Sequence, residues 1–108
     1  MLPLVLSESD VFTFKFLFKD ELRDGMCYRH ELFCRLRSFT VQQRPQVYRL
    51  GCKLAQHSRL VAITMTADRC NLWMSLRDPD VEAILAAAPT WELPTIDFPS
   101  AITTNPSK

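Results

Sequence analysis

Two histidines, His30 and His57, and four cysteines, Cys27, Cys34, Cys52 and Cys70, are the residues of this chain with the widest chemical repertoire. The cysteines are separated by 6, 17 and 17 intervening residues, so no Cys-x-x-Cys pair can bring two thiolates onto one ion. Neither zinc nor an iron–sulfur cluster is expected. Free cysteine then reads as a small buried hydrophobe, and a chain with a sufficient core does not need a disulfide. A pairing of His30 with Cys34 is the base–thiol combination considered, and no nucleophile motif accompanies it. His30 has the parity of a buried strand face and reads as structural. His57, at the expected end of a helix, can interact with its terminal carbonyls when protonated. With only two glycines, Gly25 and Gly51, no glycine-rich phosphate cradle can be built. No catalytic residue, metal ligand or cofactor is assigned, and a non-enzymatic role is expected.

The elements that position the remaining residues begin with Val11 to Phe18, where phenylalanine occupies positions 12, 14, 16 and 18. Period two is the side-chain repeat of a strand, so one sheet face is marked by this ladder. Asp24-Gly25 follows and is expected to reverse the chain into a hairpin. Cys27 to Leu36 alternates next. Tyr28, His30, Leu32, Cys34 and Leu36 share one parity, and Arg29, Glu31, Phe33 and Arg35 share the other. Leu32, Leu36 and Phe39 also recur at helical spacing, so a strand is the reading and a helix its rival.

A first helix is signalled by Ser38 or Thr40 as cap, by Gln43 three residues after Thr40, and by Pro45 in the first turn. Val47, Leu50 and Leu54 form its apolar stripe, and it is expected to end near His57. Gly51 inside it implies close packing against the sheet. Leu60–Thr66 and Asn71–Leu76 read as a second hairpin. Asp78-Pro79 opens a second helix whose buried face is Val81, Ile84, Leu85 and Ala88, and which Pro89 ends. The predicted architecture is two-layer α+β in the order ββαββα: a four-stranded, mainly antiparallel sheet with two helices on one face. Residues 1–88 form this single domain. Residues 89–108, with four prolines and little periodicity, form an extended C-terminal tail.

At 108 residues, 47% hydrophobic and 23% charged, the composition is that of one ordinary globular domain. No apolar run approaches the ~20 residues that cross a bilayer, so no membrane insertion is expected. Met1 to Leu6 lacks the features of a secretory signal, and a cytoplasmic location is expected. Net charge is +1 but polarised. Arg29, Arg35, Arg37, Arg44, Arg49, Lys53 and Arg59 face Glu31 alone, whereas Asp78, Asp80, Glu82, Glu92 and Asp97 lie in a stretch with no basic residue.

Two surfaces follow as candidate binding sites. The outer sheet face is expected to present Lys15, Arg29, Phe33, Arg35 and Arg37, joined by Trp73, Ser75 and Arg77. The tail carries Trp91, Leu93 and Phe98 among prolines, which pre-extend a docking segment. The tail can equally fold back over its own basic centre, or meet a second copy of the chain as a homodimer. A protein partner is the leading expectation, making the chain an adaptor, assembly factor or regulatory subunit. The alternative is a nucleic-acid-binding module that stacks bases on the aromatic and basic sheet face.

Overall fold

The computed structural model describes residues 2–57 and 59–94. The α+β class holds, but the sheet has six strands where four are expected: β1 (Leu4–Ser7), β2 (Phe12–Phe18), β3 (Glu21–Tyr28), β4 (Glu31–Thr40), β5 (Val61–Met65) and β6 (Arg69–Ser75). Their order is β1-β5-β6-β4-β3-β2, antiparallel except for β1 and β5, which run parallel from Leu4↔Ala62 to Ser7↔Met65. Two helices, α1 (Arg44–Ala55) and α2 (Val81–Ala87), complete the set.

Each additional strand escaped the sequence for its own reason. β1 is four residues long behind Pro3, and its partner lies far along the chain. The expected strand over Cys27 to Leu36 is two strands, because the chain turns at Arg29-His30. The first hairpin likewise turns at Lys19-Asp20 rather than at Asp24-Gly25. In both turns the two central residues have positive φ, 52° and 66° at Lys19 and Asp20, and 51° and 68° at Arg29 and His30. That geometry matches strand twist but normally selects Asn and Gly, so neither site carries its usual signature. His30 therefore sits exposed in a turn, not on a buried strand face. Gly25 lies within β3 opposite Phe14, whose ring would come 2.6 Å from a Cβ added there.

The helices form largely where their signals lie. Gln43 Oε1 accepts from the Thr40 N–H and hydroxyl, each at 3.2 Å, and a 3₁₀ turn leads into α1 with Pro45 in its first turn. Gly51 meets Ile63 and Pro3 so closely that an added Cβ would lie 3.1 Å from Ile63 Cδ1. The Asp78 carboxylate accepts from the Asp80 N–H at 2.8 Å just before α2. After α2 a 3₁₀ turn, Ala88–Thr90, carries the chain through Pro89 instead of stopping there.

One short link shapes the sheet. β1 and β2 are its opposite edges, yet Phe12 follows Ser7 by only five residues, which reach at most about 18 Å. Five inter-strand spacings laid flat span about 24 Å. The sheet must therefore curl toward the face that the link crosses, and the packing of Val11 with Met26, Phe33, Ala62 and Trp73 identifies that face. The opposite, convex face carries the larger core, in which Cys34, Leu36, Phe39, Ile63, Leu72 and Met74 pack with Val47, Ala55, Val81 and Leu85 of the helices. The phenylalanine ladder belongs to this helix-side face, but β2 is an edge strand. Phe16 and Phe18 reach the core, while Phe12 remains 68% exposed.

Non-glycine residues at positive φ cost about 1 kcal/mol or more each. Replacing Arg29-His30 by Asn-Gly is expected to raise stability by about 1 kcal/mol, read as a higher urea midpoint at unchanged slope.

Candidate protein-docking surface

The concave face is closed by side chains. Trp73 and Phe33, expected on an open outer face, are 1% and 0% exposed, because the β1–β2 link and the apolar groups Leu4, Leu6 and Val11 pack over that side. A polar relay runs beneath the link. The Trp73 indole N–H donates to Thr64 Oγ1 at 2.8 Å; Thr64 Oγ1 and Asn71 Nδ2 each donate to Glu8 Oε2 at 2.8 Å. Glu8 stands in the 3₁₀ turn Glu8–Asp10 that the link forms, so one carboxylate ties the link to two strands. Glu8→Ala leaves Thr64 and Asn71 buried without that acceptor. A loss of about 2 kcal/mol is expected, together with a shift in Trp73 fluorescence.

The arginines divide among separate environments. Arg35 and Lys15 share Asp24, at 2.5 and 2.6 Å. Arg77 is exposed, with Nε 3.7 Å from a Glu31 oxygen that also pairs with the Ser75 hydroxyl. Arg29 lies in the exposed β3–β4 turn, its guanidinium 5.2 Å from the Tyr28 ring. Arg37 is on the other face altogether. The register slips between Arg35 and Arg37, where one extra residue in β4 reverses the alternation, so Arg37 lies 4.9 Å over Phe39 on the helix side. It donates to the Trp91 carbonyl at 2.6 Å and the Ala88 carbonyl at 3.4 Å. Trp91 and Leu93 are partly buried against the larger core, which is the fold-back alternative for this part of the tail; Phe98 lies outside the described residues. The expected aromatic and basic sheet face is thus not assembled as one surface: its two rings are inside, Arg37 holds the fold-back segment, and Arg35 is ion-paired.

What the curled sheet leaves uncovered is the β2–β3 side. Leu17 and Leu22 are register partners near the hairpin turn, 73% and 67% exposed. Phe12, Cys27 and Leu32 follow one another across β2, β3 and β4, with Phe12 and Leu32 also exposed. From Phe12 the ladder continues ring to ring, with centroids 5.9, 5.9 and 6.2 Å apart. Pairing of β3 with β4 runs only from Gly25↔Cys34 to Tyr28↔Glu31. Beyond it, an open cleft of about 500 Å³ separates the hairpin from α2, lined by Phe18, Lys19, Arg23, Glu82, Leu85 and Pro89 among others. Phe12 and Leu32 belong to the helix-side face and Leu17 and Leu22, of opposite parity, to the other, so both faces of this margin carry the exposed apolar residues that commonly mark an interaction site. Sequence reasoning assigned none of Phe12, Leu17, Leu22 or Leu32 to a site; the alternation of β2 was visible, but its edge position was not.

The chain matches no protein-family model, no curated protein and no solved structure. Its functional reading rests on this geometry.

The thiols follow their burial. All four cysteines are free. Burial pushes Cys34 up from 9.0 to about 11, and Cys70 is raised for the same reason. In the unfolded chain Cys34 ionises near 9.0, so its contribution to stability is complete below that pH and is lost as pH rises through about 11. At neutral pH, alkylation followed by mass spectrometry is expected to label the partly exposed Cys27 and Cys52 well before Cys34 and Cys70.

Proposed function

We propose that the chain is a small, non-enzymatic protein-binding module, acting as an adaptor, assembly factor or regulatory subunit, whose docking element is the apolar β2–β3 side of the sheet. The observation that carries this reading is the exposure of Phe12, Leu17 and Leu22 at about two-thirds or more each on adjoining strands. Burying such groups against a partner gains roughly 25 cal/mol per Å² of apolar surface before the costs of association. A solvated hairpin has no need of them.

Several features support a role without chemistry of its own. Cys34 and Cys70 are buried thiols held in the neutral form, which is the wrong form for a nucleophile. His30 and His57 are exposed, one in a hairpin turn and the other just beyond α1. Among the described residues no group of three histidine, cysteine, aspartate or glutamate side chains converges on a metal site, and no helix is long and apolar enough to cross a membrane. A cytoplasmic setting fits the four free thiols.

A photo-cross-linking amino acid placed at Phe12 or Leu22, in the chain expressed in its native host, tests the reading. Adducts with protein are expected from both positions and not from Tyr48 on α1, which is also partly exposed but lies away from this side. Equal yields from all three positions, or none from 12 and 22, would remove the β2–β3 side as the docking element.

A further inference from the structure

We infer that the partner of the β2 edge is β2 of a second copy of this chain, paired antiparallel about a two-fold axis at Phe14. This inference rests on the reading of the β2–β3 side as a docking surface, and it names the occupant.

The argument starts from the backbone. β2 is seven residues long with one ladder partner, β3, so its outer row of N–H and C=O groups has no strand beside it among the described residues. Water can solvate such a row, but it is also a ready template for another extended chain. Of the usual edge protections β2 has only one charge, Lys15, which is paired with Asp24 at 2.6 Å; it contains no proline, and its pairing with β3 is unbroken from Phe12↔Cys27 to Phe18↔Glu21.

The side chains specify the occupant. An incoming strand must bring apolar groups on every second residue to continue the phenylalanine face, and β2 itself has that pattern. In an antiparallel pair about a two-fold axis at Phe14, Phe12 lies opposite Phe16 of the other copy, and Phe14 opposite Phe14. Every pair keeps its parity, and a two-fold axis normal to the sheet keeps both ladders on the same face. The exposed Phe12 of each copy is then covered by the half-buried part of its partner's ladder.

Charge rules out the longest register, and an axis at Phe16 would set Phe12 opposite Asp20 in the hairpin turn, leaving it uncovered. Lys15 is the one charged residue between Phe12 and Phe18. A two-fold axis at Lys15 sets two ammonium groups opposite each other, which is unfavourable. The axis at Phe14 instead sets Lys15 opposite Thr13. Each Lys15 also keeps its own Asp24 at 2.6 Å, so no bare cation is carried into the interface.

Sedimentation velocity of the purified chain over a wide concentration range tests this. A closed monomer–dimer equilibrium is expected, because each dimer consumes both β2 edges. Phe12→Glu, at an exposed position that the dimer sets opposite Phe16, should weaken it by at least about tenfold, with Tyr48→Ser as an unchanged control. Thr13→Glu should tighten it a few-fold, since each new carboxylate faces Lys15 of the other copy. Hydrogen exchange of the parent chain needs no variant: alternate amides of β2 should gain protection as concentration rises. A monomer at every soluble concentration, an open-ended series of oligomers, a dimer indifferent to Phe12→Glu, or loosening by Thr13→Glu would each overturn the inference. Adducts from position 12 with proteins other than a second copy would overturn it too, while leaving the docking element itself in place.

Discussion

The link from Ser7 to Phe12 governs this fold. It joins the two edges of a six-stranded sheet with too few residues to span that sheet flat, so the sheet must wrap around whatever the link covers. The contents of the wrapped face follow from that limit. Trp73 and Phe33 fill the hollow, and Glu8 gives the link a polar anchor by accepting from Thr64 and Asn71. A buried indole N–H needs a partner, and Thr64 supplies one while passing its own hydrogen to Glu8.

The same constraint decides where the molecule can meet others. A curled sheet covered by helices on its convex side and by the link on its concave side has little open face left. What remains is margin. β2 is the edge strand that neither helix fully covers, and residues 21–24 of β3, before Gly25, have no pairing with β4. On β2 and β3 Asp24 holds Lys15 and Arg35. Exposed apolar side chains stand along that margin beside the charges of Lys19, Asp20 and Glu21 at its turn.

Periodicity made much of this legible. The phenylalanine ladder, the Thr40–Gln43 signal before α1, the close packing of Gly51, the β5–β6 hairpin and the Asp78-Pro79 opening of α2 all have local causes, and they appear within a residue or two of where those causes lie. What stayed hidden was non-local. Alternation placed Phe33 and Trp73 on the face opposite the helices, but it carries no information about a second cover arriving from residues 4–11. Arg37 changed faces because one extra residue in β4 resets parity, and Leu-Arg-Ser does not advertise a bulge. Lys19-Asp20 and Arg29-His30 turn without Asn or Gly, so the hairpin boundaries are set by the strands they join.

The parallel pairing of β1 with β5 sets an order of events during synthesis. Leu4 needs Ala62, and Ala62 in turn pairs with Trp73. On the ribosome the first strand therefore waits, unpaired, while most of the domain is made, although β2, β3 and β4 can already zip locally. Closure of the hollow over Trp73 is a late, long-range step in a chain whose earliest hairpin carries the phenylalanine ladder. Between that hairpin and that closure, the apolar groups of the hollow lack the cover that residues 4–11 later supply.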